Sequence, residues 1–177
     1  NQRTTVTSGQ SYSLTVQASY GNYQYLRAYL DYNADGDFND AGENIMTTQG
    51  GFGSATITIP AAGVTINTPI RLRIVADNPN GASPTACSLN GTPSEGIVQI
   101  EDYTVIITPR IVTSVASGSW TNSGTWSCSC IPASSDSVSI QTGHIVSISS
   151  GLVQARRLTL DGKLQYAAGG RLQLTGN

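Results

Sequence analysis

The sequence predicts an all-β protein, an antiparallel β-sandwich followed by the first rungs of a parallel β-solenoid. Three observations predict it. Ser, Thr, Gly and β-branched residues dominate while lysine occurs only at Lys163, a composition suited to strands. No long stretch places apolar residues at helical spacing. Short runs alternate apolar with polar residues instead, and Gly, Pro or Asn separates them.

The first run, "SYSLTVQ" from Ser11 to Gln17, sets Tyr12, Leu14 and Val16 on one face. "YLRAYLDY", from Tyr25 to Tyr32, sets Leu26, Ala28 and Leu30 on one face and Tyr25, Arg27 and Tyr29 on the other. "ATITIP" (Ala55 to Pro60), "IRLRIVAD" (Ile70 to Asp77) and "IVQIEDYTVIIT" (Ile97 to Thr108) continue the series. Short strands between turn-rich links favour an antiparallel sandwich. Asn78 to Gly96 holds too many breakers for regular structure and reads as a long surface loop. Pro109 closes this part, because proline cannot donate to a central ladder. The expected organisation is a sandwich over 1–109, a linker over 110–118 and a solenoid start over 119–177.

Beyond a boundary near residue 110 the pattern changes to short apolar pairs: Val138/Ile140, Val146/Ile148, Leu158/Leu160, Leu164/Tyr166 and Leu172/Leu174. Val138 to Leu158 is a step of about 20 residues, near the lower end of structural repeats. Two strands per rung would follow. The alternative is a second small sandwich of hairpins, which the Asp161-Gly162 pair favours as a common hairpin turn. The chain ends on an apolar alternation, "GGRLQLTGN", so a longer protein is expected.

Charge and hydropathy exclude several classes. Nine basic and 11 acidic residues leave a formal net charge of -2, which gives no footprint for nucleic acid. No apolar run is long enough for a transmembrane helix, and the opening "NQRTTVTSGQ" lacks the regions of a signal peptide. Any export signal is expected outside this chain. Cys87, Cys128 and Cys130 are the only cysteines. In a Lys-poor, Ser/Thr-rich chain they favour a secreted or cell-surface protein with one disulfide. Cys128 and Cys130 share a face if extended, so they can join each other, or one can reach Cys87. Zinc would have only an incomplete set, two cysteines and the lone His144.

The densest chemistry is "DYNADGDFNDAGE", Asp31 to Glu43, in a chain only 11% charged. Calcium takes six to eight oxygen ligands, and alternating acidic positions let side chains converge on it. Asp31, Asn33 and Asp35 have the one-three-five spacing, and Gly36 falls at position six, where a sharp turn excludes a Cβ. Asp37 would offer its backbone carbonyl, Asn39 would act directly or through water, and Phe38 would anchor the loop. An EF-hand closes at position twelve. Here that position is Gly42, so Glu43, or else Asp40, must close the site. Ca2+ is the expected ion, on a strand scaffold rather than between helices. A solvated polar turn is the competing reading.

This loop, taken with "IEDYTVII" (Ile100 to Ile107), resembles the GEVED domain, a β-sandwich module of large secreted or surface-attached bacterial proteins. The name motif falls on Val98 to Asp102, where its leading Gly and Glu are absent and Glu101 and Asp102 match. The arginine strand from Ile70 and the loop of Cys87 sit where that family has similar features. The resemblance implies export and supplies no catalytic residues. Glu101 is expected to be buried against Arg73, with Asp102 on the opposite face. The segment from Ser117 onward is similar to the start of β-helical surface regions and to the eight-glycine domain.

Function is therefore expected to be that of a non-catalytic, calcium-stabilised module serving adhesion, ligand binding or spacing, with an extracellular partner that is a glycan or a surface protein. One alternative is a carbohydrate-binding accessory module in which Trp120 and Trp126, or Tyr20, Tyr23 and Tyr25, stack on sugars. Covering the open end of the first rung is the preferred role of the tryptophans. Another alternative is part of a β-helical polysaccharide-degrading enzyme using Arg156, Arg157, Lys163 and His144, although no paired carboxylates or nucleophile motif accompany them.

Overall fold

The computed structural model describes residues 2–18, 24–77, 85–88 and 98–176. Among these the protein is all-β, with fifteen strands, a single 3₁₀ turn at Ser123–Thr125 and no α-helix. Tyr20, Tyr23 and most of the expected long loop lie outside the described residues. The chain divides into two compact units. The first holds Asn1–Val6, Gln10–Ile59 and Asn67–Ile107, and the second holds Thr7–Gly9, Pro60–Ile66 and Thr108–Asn177.

In the first unit the strands are β1 (Arg3–Thr7), β2 (Ser11–Gln17), β3 (Tyr25–Leu30), β4 (Asn44–Gln49), β5 (Phe52–Thr58), β6 (Pro69–Asp77) and β7 (Gln99–Thr108). One sheet runs in the order β1-β7-β6-β3-β4, and β2 pairs antiparallel with β5 in another. Period-two alternation explains the arrangement. Leu26 and Ala28 of β3 are fully buried with Met46 and Ala76, and Leu14, Val16 and Ala55 from the second sheet pack on the same cluster. Two sheets sharing one core are consistent with the expected sandwich.

In the second unit the strands are β8 (Ile111–Thr113), β9 (Gly118–Ser119), β10 (Ser137–Ile140), β11 (Ile145–Ile148), β12 (Gly151–Ala155), β13 (Arg157–Leu160), β14 (Lys163–Tyr166) and β15 (Gly170–Leu174). All the pairings among them are parallel: β13-β10-β8, β14-β11-β9 and β12-β15. Val138 stands beside Leu158, Val146 beside Leu164 and Val153 beside Leu172. Each register match puts apolar residues of successive passes on the same inner face. Val112, Val138, Ile140, Val146, Ile148, Val153 and Ala155 consequently form one buried cluster.

Three expectations need correction. The segment 110–118 is no linker: it carries β8 and β9, with Val112 fully buried, because its alternation continues the ladders that follow. The two later passes contribute three strands each rather than two, since "GLVQA" at Gly151–Ala155 forms β12 and pairs with β15, while the first contributes β8 and β9. The Asp161-Gly162 corner joins β13 and β14, which belong to different sheets, and is not a hairpin turn. A Cβ at Gly162 would stand 2.3 Å from the Gln141 carbonyl oxygen and 2.5 Å from that of His144. Close backbone approach explains glycine there.

An ion pair fixes the start of this unit. Asp136 is fully buried and takes two hydrogen bonds from the Arg110 guanidinium, at 3.1 and 2.7 Å, and one from the Ala133 N–H at 2.7 Å. Arg110 N–H donates in turn to Ser8 Oγ, and Ser135 Oγ donates to the Ala61 carbonyl, which ties the two short outlying segments into the second unit. Arg110→Ala leaves a buried carboxylate without its cation and is expected to cost about 3–5 kcal/mol. Urea unfolding followed by tryptophan fluorescence measures this, because both tryptophans, Trp120 and Trp126, belong to this unit. Gly162→Ala should cost about 1–3 kcal/mol by overpacking in the same assay.

Candidate metal centre

The acidic loop connects two antiparallel neighbours, β3 and β4, and its neck is closed by Leu30 N–H donating to the Glu43 carbonyl at 2.9 Å. This closure brings Asp31 and Glu43 to the base of the loop. They are buried there, 6% and 1% exposed, while Asn33, Asp35, Asp37 and Asn39 lie exposed above them. Gly36 adopts φ +97° and Ala34 φ +61°. Both lie in the left-handed region, which costs an alanine about 1 kcal/mol or more.

Carboxylates within the loop collect backbone donors. Glu43 accepts from Tyr32 N–H at 3.1 Å and from Asp40 N–H at 3.2 Å, one on each oxygen. Asp31 Oδ2 accepts from Gly36 N–H at 3.2 Å. Successive Asx turns follow: Asn33 Oδ1 accepts from Asp35 N–H, Asp35 Oδ1 from Asp37 N–H and Asp37 Oδ1 from Asn39 N–H. The Asn33 amide bridges Asp35 and Asp40. Asn33, Asp35 and Asp40 are therefore held together, whereas Asp37 and Asn39 contact each other.

Electrostatics at the neck are unfavourable for two anions. Burial pushes the Glu43 carboxyl above its ordinary value, the neighbouring Asp31 and Asp40 charges add to this, and the N–H groups of Asp40 and Tyr32 oppose it. Burial and the Glu43 charge push the Tyr32 phenol up to about 12. Asp35 moves the other way, held down first by the Asp37 N–H and then by the Asn33 amide. Asp31 Oδ1 is buried without a hydrogen-bond donor. Among the described residues, no three His, Cys, Asp or Glu side chains stand grouped as a metal site. The oxygen-only donor set and the orphaned Asp31 oxygen nevertheless suit a hard cation such as Ca2+.

Phe38 anchors the loop on the outer face of the larger sheet. Its ring lies 5.7 Å from that of Tyr29, and the Arg73 guanidinium sits 5.5 Å from its centre. Arg73 continues the row across β6 to Asp102, donating from Nε and Nη2 at 2.7 and 2.8 Å. The expected Glu101–Arg73 pair is incorrect. Register places Arg73 directly opposite Asp102 and Ile74 opposite Glu101, so Glu101 projects from the other face, where the Gln99 amide and the Tyr103 hydroxyl donate to it.

Residues 25–106 match the GEVED domain. The GEVED match begins at the first residue of β3 and ends within β7, and it includes the acidic loop, the arginine strand and Asp102. Residues beyond 106, where a resemblance to the eight-glycine domain was expected, fall outside it. Neither curated proteins nor solved structures gave a match to the chain.

The remaining candidates lie elsewhere. Cys128 and Cys130 form a disulfide, and Cys87 is a free, exposed thiol. Trp120 and Trp126 are 0% and 1% exposed, pack edge to face at 5.1 Å and join the second unit's core. The sugar-stacking role is therefore overturned for this pair, because neither ring offers a face to a ligand. His144 Nδ1 lies 2.8 Å from Ser114 Oγ, which also accepts from Gln141 N–H. Ser114 is buried, so this contact is a structural link rather than an accessible nucleophile. Its residues are thirty positions apart in sequence, and no local motif marked them. Among the described residues no helix is long and apolar enough to cross a membrane.

The Arg73 hydrogen bonds hold the Asp102 carboxyl below its usual range, against an opposing effect of burial. Its contribution to stability is complete above the unfolded value of about 4 and is lost as pH falls through the depressed folded value. Asp102 is 41% exposed, which limits the contribution to about 1 kcal/mol. Asp102→Asn should thus lower the urea midpoint at pH 7 and lose most of that difference at strongly acidic pH.

Proposed function

We propose that the first unit is a non-catalytic, calcium-stabilised module of a secreted or cell-surface bacterial protein, serving adhesion, ligand binding or structural spacing. The observation that carries this reading is the pairing of two buried carboxylates, Asp31 and Glu43, at a hairpin neck where one Asp31 oxygen has no donor. A divalent cation would supply the missing partner and offset the mutual repulsion. Asp31 and Glu43 would hold it from below, with Asn33, Asp35, the Asp37 carbonyl and Asn39 from the rim. The ion would crosslink the loop to its neck and so stabilise the fold by mass action.

The Cys128–Cys130 disulfide supports an oxidising location, as does the GEVED match through the company that family keeps. We read the parallel ladders of the second unit as the first rungs of a β-solenoid, on the strength of in-register stacking of Val112, Val138 and Leu158. A non-enzymatic role is favoured by the chemistry of the bases. Arg157 and Lys163 are exposed on separate strands, and the His144 ring is bonded to buried Ser114.

Thermal and urea melting with calcium or with a chelator tests the proposal. Calcium at a hundredfold excess over its Kd should add about 2.7 kcal/mol to the first unit. Glu43→Gln and Asp31→Asn should abolish that increment, and Asp35→Ala should reduce it. Identical melting in calcium and chelator would show that the loop is only a turn. Detectable cleavage of a polysaccharide by the chain would refute the non-enzymatic reading.

A further inference from the structure

Among the described residues, part of the first unit's interior face is left uncovered. Between the edge strands β1 and β2 opens a cleft of about 450 Å³, within the range of ligand sites. Leu14 and Val16 line it from β2, and Leu72 and Ile74 from β6. All four are only partly buried, so the floor is apolar and accessible. Its aliphatic character gives no flat aromatic platform for a sugar, since Tyr103 on the wall already donates its hydroxyl to Glu101.

Two further features indicate what fits. Among the described residues β2 pairs only with β5 and β1 only with β7. An edge strand of this kind presents outward N–H and C=O groups to another chain. Glu101 faces the cleft with its charge unneutralised, because both of its hydrogen-bond donors, Gln99 and Tyr103, are neutral. No described cationic side chain forms an ion pair with it. Glu101 is exposed on the cleft wall, where an incoming basic side chain can reach it.

We propose that this cleft docks an extended peptide segment carrying a lysine or arginine among apolar residues. The segment adds as a strand along the outer edge of β2 near Leu14 to Gln17. Its alternate apolar side chains cover Leu14, Val16, Leu72 and Ile74, and its basic side chain pairs with Glu101. Arg3, exposed on the β1 wall, adds an opposite charge that favours an acidic residue elsewhere in the same segment. This inference rests on reading the unit as a binding module and names the chemistry of its partner.

The test uses the full chain and a fluorescent synthetic peptide of alternating valine and threonine with one central lysine, followed by anisotropy in calcium-containing buffer. Saturable binding is expected, weakened about fivefold by Glu101→Gln, the upper range for a partly exposed ion pair, with unchanged melting. Replacing the peptide lysine by norleucine should weaken it equally, and the two changes together should weaken it no further. Val16→Trp, which fills the cleft, should remove binding while the melting transition is kept. Failure to bind at about 1 mM peptide, equal binding of a peptide with alternate amides N-methylated, or self-association of the chain through the cleft would each overturn the proposal. Peptide binding without any calcium effect on melting would refute the cation reading alone, and the reverse result would refute the peptide site alone.

Discussion

Asp31 and Glu43 sit where a β-hairpin narrows, inside the fold and, among the described residues, without an ion pair to a cationic side chain. A carboxylate taken out of water must recover its solvation from nearby donors. The loop above is shaped by that requirement: the Tyr32 and Asp40 N–H groups point at the Glu43 oxygens and the Gly36 N–H at an Asp31 oxygen. Phe38 then fastens the outer limb to Tyr29 and Arg73, and Arg73 transmits the same row to Asp102. Acid at the neck, aromatic on the sheet and arginine across it form one connected arrangement. The GEVED match spans these parts together.

Much of the first unit was legible because a half-buried strand advertises itself by alternation. Leu14, Val16, Leu26 and Ala28 read directly as inward positions, and the acidic loop read as lying on a strand scaffold, whereas the strand that follows it at Asn44–Gln49 was not visible. Register was less visible. Glu101 and Asp102 are adjacent and both acidic, so only the pairing of β6 with β7 decides which meets Arg73. The position of Glu101 inside the cleft follows from the same shift of one residue.

The second unit hid more. Gly118–Ser119 is too short to show a period, and "GLVQA" has a single strongly buried valine. Asp161-Gly162 carries a hairpin's sequence but turns a corner between ladders, a distinction made by partners roughly a rung away rather than by the turn itself. Trp120 and Trp126 are large amphipathic residues equally suited to cores and to ligand faces. Their burial depends on neighbours from β8 to β12 that no local window contains. The Arg110–Asp136 pair was invisible for the same reason.

Parallel stacking also determines what kinds of sequence change this protein can tolerate over evolutionary time. Because Val138 and Ile140 point inward while Ser137 and Ser139 point outward, loss of one residue within β10 would turn the entire strand inside out. Loss or duplication of a whole pass, in contrast, would leave every ladder in register. On the solenoid reading proposed for this unit, length variation is channelled into units of one complete circuit, and neighbouring circuits can diverge freely at their outward positions.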